Sequence, residues 1–93
     1  MIKSFKDKNL ENCWRYDNCK SIKSALKKRV VNKLHYMDAA TCLDDLRSPP
    51  SNRLHQLHDE YEGCWAISVN GPWRLIFMFQ DGDIYNVQLE QYH

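Results

Sequence analysis

Three runs of alternating apolar and polar residues, separated by two turn signals, confine the last third of this chain to a narrow choice of structures. The stretch from Cys64 to His93 carries Asn70-Gly71-Pro72 between its first and second runs and Asp81-Gly82 between its second and third. Such turn signals mark antiparallel hairpins: the turn folds the chain back, and the alternation gives each strand an apolar face. Trp65, Ile67 and Val69 share one side of the first strand. Trp73, Leu75, Phe77 and Phe79 share one side of the second, and Tyr85, Val87 and Leu89 one side of the third. Successive side chains on a strand point to opposite faces, so these sets predict a single buried sheet face.

The preceding residues read as material packed on that sheet. Met1 to Phe5 alternates and is short enough for an edge strand. Asp7 to Tyr16 predicts a short helix, with Leu10, Cys13 and Trp14 at helical spacing and a break at Asp17-Asn18. Ser21 to Met37 predicts the best helix of the chain. Its stripe is Ile22, Leu26, Val30, Leu34 and Met37, widened by Ala25 and Val31, with lysines over much of the remaining surface. Asp38 to Leu46 continues as a weaker helical turn. Its adjacent carboxylates, Asp44 and Asp45, suggest a solvated turn before they suggest a metal. Pro49 and Pro50 stop any helix, since proline lacks a backbone donor and restricts the residue before it. Arg53 to Leu57 alternates again, and residues 59–63 form a polar turn. The order β-α-α-β-β-β-β predicts an α+β fold, two N-terminal helices followed by a mostly antiparallel sheet.

Ninety-three residues bound this to one domain, 1–93. No apolar run is long enough to span a membrane. The N-terminus has no apolar signal core, so secretion is not expected. Cys13, Cys19, Cys42 and Cys64 would permit a disulfide framework in a secreted domain; without a signal segment, reduced thiols in the cytoplasm are the expectation. No CxxC pair supports a four-cysteine zinc site. The net charge of +1 conceals an asymmetry: residues 1–33 hold ten Lys or Arg against three Asp or Glu, and residues 34–93 hold three against nine. A basic first third is either a solvated helix surface or an electrostatic footprint for nucleic acid.

His55, His58, Arg74 and His93 stand out as chemistry. Arg74 lies in the most hydrophobic strand and, by alternation, points away from the Trp73 and Leu75 side. An arginine fixed there can bind phosphate through a forked pair of donors, or simply pair with a neighbouring carboxylate. His55 and His58 fall on opposite faces if their segment is extended and come together if it turns. Histidine both accepts and donates a proton near neutral pH. A zinc site would need further ligands, and His93 is the only other nearby candidate. Tyr92 offers an aromatic plane on which a base can stack. As a set, these residues suit metal-free RNA cleavage, in which the 2′-hydroxyl attacks the neighbouring phosphate. That reaction needs a base at the 2′-oxygen, an acid at the departing 5′-oxygen and a cation on the phosphate.

The order of residues also resembles a known family. The opening Met-Ile-Lys-Ser-Phe-Lys-Asp-Lys, Asp38-Ala39-Ala40-Thr41 and the run Leu43-Asp44-Asp45-Leu46-Arg47-Ser48-Pro49-Pro50 carry the likeness. So do Asn52-Arg53-Leu54-His55-Gln56-Leu57, Trp73-Arg74, Asp81-Gly82-Asp83, Tyr85 and the closing Tyr92-His93. Together they resemble the HigB group of the RelE/ParE toxin superfamily, the plasmid maintenance system killer proteins, over essentially the whole chain. The resemblance implies helices packed on a small curved sheet. It implies a bacterial cytoplasmic toxin of a type II toxin–antitoxin system that cuts messenger RNA on translating ribosomes, needs no cofactor or metal, and does not act at a membrane. It further implies a cognate helix-turn-helix antitoxin that holds the toxin inactive and connects it to operator DNA. Carried over by position, His55 and His93 are catalytic acid or base candidates, His58 assists, Arg74 stabilises the scissile phosphate, and Tyr92 lies beside His93. Lys20, Lys23, Lys27, Lys28 and Arg29 then become candidates for docking on ribosomal RNA.

Two positions depart from the family pattern. Members commonly have lysine followed by Gly-Asp where this chain has His58-Asp59-Glu60, and often an acidic residue where it has Gln91. These departures favour one competing reading, a catalytically weak or inactive module that binds an antitoxin and acts as a co-repressor; a second, from the ParE branch of the superfamily, is a gyrase inhibitor. The acid–base set argues against the second, since gyrase poisoning has no need of it.

Overall fold

A computed structural model describes residues 1–91. Within them two helices, α1 (Lys8–Tyr16) and α2 (Ser24–Ala39), precede four strands, β1 (His55–Gln56), β2 (Trp65–Asn70), β3 (Trp73–Gln80) and β4 (Asp83–Gln91). The strands form one antiparallel sheet in the order β1-β2-β3-β4. The predicted α+β architecture is the one observed, and both predicted hairpins form. The first predicted strand does not become one: Ile2 and Phe5 make isolated parallel bridges to Ile84 and Val87, along the outer edge of β4.

Local chemistry explains the helix ends. The Asp7 side chain accepts from the Leu10 amide and caps α1, satisfying a donor that has no partner within the helix. Its other oxygen accepts from the Leu89 amide at 3.5 Å, so the same carboxylate ties α1 to β4. Asp17 ends α1 in the left-handed region, φ 56°. The chain turns back there and brings Cys19 to Cys13, and the two form a disulfide with Cα atoms 4.3 Å apart. The expectation of four reduced thiols is corrected at this pair; Cys42 and Cys64 are free.

Helix α2 buries Leu26, Val30, Leu34 and Met37, the predicted stripe, while Ile22 is buried just ahead of it. Ala25, expected to widen that stripe, is exposed. The stripe meets Ile67, Val69, Leu75, Phe77, Ile84 and Val87 from the sheet in one core. Each fully buried side chain of this size contributes about 1.5–3 kcal/mol. A second, smaller cluster of Leu57, Ala66 and Ile76, with Tyr61 and Cys64 against it, covers part of the opposite sheet face.

The predicted apolar face holds except at Tyr85. In the pairing of β3 with β4 the register shifts between Ile76 and Met78, where Asn86 and Val87 together oppose Phe77. Asn86 sits at φ 56°, and this bulge resets the alternation. Ile84, opposite Phe79, therefore enters the core, and Tyr85 turns to the other face opposite Met78. The N-terminal segment fits the bulge: the Asn86 amide donates to the Ser4 hydroxyl at 2.9 Å and the Val87 amide to the Ser4 carbonyl at 3.2 Å.

The predicted weak helical turn is a 3-10 turn, Leu43–Arg47. Asp45 turns back on the backbone there. Its carboxylate accepts from the Thr41 and Cys42 amides and from the Thr41 hydroxyl, which holds its pKa below the ordinary value. Asp44 pairs with Arg47. Buried Asn52 then fastens the following loop, donating to the Leu46 and Ser48 carbonyls and accepting from the Lys33 ammonium of α2. Burial, then the nearby charge of Arg29, lowers the Lys33 pKa.

Candidate active site

The sheet face turned away from the helices carries the candidate chemistry. Strand register sets it out in rows. Ser68, Arg74 and Glu90 lie side by side on β2, β3 and β4, and His55, Ala66, Ile76 and Gln88 form the adjoining row. A cleft of about 310 Å³ is lined by Arg53, His55, Ser68, Arg74 and the start of β3 at Gly71, Pro72 and Trp73. Strand spacing separates the Cα atoms of His55 and Arg74 by about 12 Å. Both side chains nevertheless line the same cleft.

His55 is held in one tautomer. Its Nδ1 lies 2.7 Å from the Arg53 carbonyl oxygen, which can only accept, so Nδ1 carries the proton. In the neutral ring the Nε2 lone pair is then the group free to take a proton. The backbone supports this contact. Pro50–Asn52 forms a 3-10 turn that ends on Arg53 in the left-handed region, φ 49°, aiming its carbonyl at the ring two residues on. The expected strand from Arg53 to Leu57 is thereby reduced to His55 and Gln56.

Arg74 is half-buried and, as alternation predicted, emerges opposite Trp73, Leu75 and Phe77. Its guanidinium carbon lies 5.9 Å from the centre of the Tyr61 ring. Tyr61 belongs to a 3-10 turn, Asp59–Tyr61, that folds back over the sheet. Burial raises the pKa of its phenol above the ordinary value, the charges of Glu90 and Glu60 add to the rise, and Arg74 opposes it.

The structure does not bring His58 into this cleft. Its Nδ1 lies 3.7 Å from a Glu62 carboxylate oxygen, and both side chains are about three-quarters exposed, 74% each. Tyr92 and His93 lie outside the described residues; the last described residue, Gln91, pairs with Trp73 at the cleft's lining. Of the docking candidates, Lys20, Lys23, Lys27, Lys28 and Arg29 are all exposed around the start of α2. Lys23 approaches the cleft from behind, its ammonium 5.4 Å from the centre of the Trp73 ring.

Arg53, Ser68, Tyr61 and Glu90 do not stand out in the sequence. Ser68 and Glu90 are within reach of a register count, because each hairpin turn fixes which residues stand opposite Arg74. Tyr61 gives no such signal, since a turn within a polar segment has to fold over the sheet first.

Comparison with known proteins places this geometry in context. A family model described as RelE-like toxin of type II toxin-antitoxin system HigB matches residues 3–93. Toxin HigB-1 of Vibrio cholerae serotype O1 is 38% identical over 91 residues, covering 97% of this chain and 96% of that protein. Endoribonuclease HigB of Proteus vulgaris is 34% identical over 93 residues, covering 100% of each. Among solved structures, YafQ from E. coli superposes with a TM-score of 0.66 at 15% identity, over 98% of this chain and 91% of that one. A chain of the YoeB-YefM complex from Staphylococcus aureus gives 0.58 at 16% identity, over 100% and 95%. At those identities the structural likeness speaks to the fold alone.

Proposed function

This chain belongs to the HigB-like family of RelE-like toxins of type II toxin–antitoxin systems, and on that premise we propose that it is an endoribonuclease that cuts messenger RNA on the translating ribosome. The observation that carries the reading is the meeting of His55, in a fixed tautomer, and Arg74 in one open cleft. The printed name of the Proteus vulgaris relative, an endoribonuclease, supports it.

In the proposed reaction the 2′-oxygen forms a bond to the adjacent phosphorus and the bond from phosphorus to the 5′-oxygen breaks. One proton leaves the 2′-hydroxyl and another reaches the departing oxygen. His55 Nε2 is suited to one of these transfers, and His93 is proposed for the other, with Tyr92 beside it. Arg74 offers its fork to the phosphate oxygens, where negative charge grows as the reaction proceeds. Arg53 adds a second cation at the mouth. His58, turned toward Glu62, is given an assisting electrostatic role outside the reacting groups.

The surrounding surface suits a ribosomal setting. Lys20, Lys27, Lys28 and Arg29 form an exposed basic face, and Lys23 links that face to Trp73 at the cleft. We place the protein in the bacterial cytoplasm, restrained by a cognate helix-turn-helix antitoxin that also connects it to operator DNA. Among the described residues, no helix is long and apolar enough to cross a membrane.

The test is to incubate the purified chain with a programmed, translating ribosome complex and map cuts in the message. The wild type should cut within the ribosomal A site, and Arg74→Ala should lower the rate by roughly 10²–10³-fold. A folded, ribosome-bound protein that makes no cut would overturn this reading and favour an antitoxin-binding co-repressor.

A further inference from the structure

A catalytic arginine on an open sheet face has a long side chain to keep in place. Bidentate contact with a phosphate demands that the plane of its guanidinium be set as well as its position. Tyr61 and Glu90 both neighbour Arg74. Tyr61 presents its ring at 5.9 Å, and Glu90 is directly opposite on β4. The Tyr61 ring is itself anchored on the Leu57, Ala66 and Ile76 cluster. Its turn is closed by the Tyr61 amide donating to the His58 carbonyl at 3.2 Å and the Cys64 amide to the Tyr61 carbonyl at 2.9 Å.

We propose that Tyr61 is a positioning residue for Arg74, its ring holding the guanidinium toward the cleft while Glu90 borders it from β4. The proposal rests on the endoribonuclease reading and names a further part of the same site. An aromatic face attracts a guanidinium through its ring electrons and occupies none of the five N–H donors. A carboxylate alone would hold the arginine by accepting from that fork, in competition with the phosphate. The ring therefore orients, and Glu90 limits the positive charge that Arg53 and Arg74 gather at one cleft. The phenol stays neutral in the physiological range, because burial and the two glutamates push its ionisation upward. Arg74 lies over the ring, so the role is assigned to the ring and not to the hydroxyl.

The test compares Tyr61→Phe, Tyr61→Trp and Tyr61→Leu, each also combined with Arg74→Ala. Two quantities are read: the cleavage rate on programmed ribosomes, and the resonance of the Arg74 Nε–H in the free protein. Phe and Trp should keep both the rate and a ring-shifted resonance. Leu should abolish that shift and lower kcat, with KM little changed, by roughly five- to tenfold. In the Arg74→Ala background, Leu should have no additional effect, which a general loss of packing would not reproduce. A Phe variant as slow as Leu would sink the proposal by assigning the role to the hydroxyl. A Leu variant that keeps the wild-type resonance would sink it outright. If the wild type fails to cut RNA, the endoribonuclease reading has failed, and the resonances still decide whether the ring holds the arginine.

Discussion

At the residue scale, the site depends on groups whose positions are fixed by their backbone neighbours. His55 is tautomer-selected by the carbonyl of Arg53, which lies in the left-handed region. Arg53 is in turn placed by a loop that Asn52 fastens to Leu46, Ser48 and α2. Asn52→Ala would leave those buried groups without their partner and should cost about 1–3 kcal/mol in chemical denaturation. Because the loop leads directly into His55, the same variant should also slow cleavage at temperatures where it remains folded. His55 and Arg74 are legible in the sequence, because histidine beside a strand and arginine within an apolar one are chemically conspicuous. Tyr61 is not, because its importance comes from a tertiary contact made by a segment that reads as a polar turn. His58 carries the opposite lesson: its spacing from His55 invites a pair, but the 3-10 turn that begins after it directs it toward Glu62.

At the element scale, alternation and helical periodicity recover α2 and both hairpins, since each buries one face and the pattern follows from that burial. They do not show how α1 is closed. The helix ends on a left-handed Asp17, and the return of the chain lets Cys13 meet Cys19 across a short loop. A disulfide closing so few residues stabilises by about 2 kcal/mol in the chain-entropy account. Replacing both cysteines by alanine, or adding reductant, should lower the denaturation midpoint by the corresponding amount. The effect should be the same in the two cases, and Cys42→Ser should leave the midpoint unchanged. Both halves can be checked by urea titration of the same preparations.

At the scale of the whole molecule, the two faces of the sheet divide the work. One packs against α1 and α2 and holds most of the core; the other carries the cleft, with only a small cluster beside it. The basic face around α2 belongs to the helical layer and reaches the cleft through Lys23 and Trp73. Charge reversal at Lys20, Lys27 and Lys28 should therefore weaken ribosome binding without unfolding the chain. The slope of log affinity against log salt should fall by about 0.7–0.9 for each phosphate that is no longer neutralised. An unchanged slope, measured by sedimentation with ribosomes at several salt concentrations, would remove these lysines from the docking surface. Charge asymmetry is plain in the sequence, but its continuity with the cleft needs the fold.

The bulge at Asn86 has a consequence that concerns parity. Counting along β4, even-numbered residues face the core before it and odd-numbered residues after it: Ile84 on one side, Val87 and Leu89 on the other. Every residue downstream inherits its orientation from that one added position, including Glu90 beside Arg74 and Gln91 beside Trp73. Deletion of a single residue just after it, such as Gln88, acts on the sheet as a shifted frame acts on a message. Each later side chain would keep its identity and exchange its face, sending Leu89 into the cleft's row and Glu90 into the core. Loss of Asn86 itself would instead leave Val87 alone opposite Phe77 and every later face as it is, so the bulge is a place in β4 where the count can change without turning the strand over.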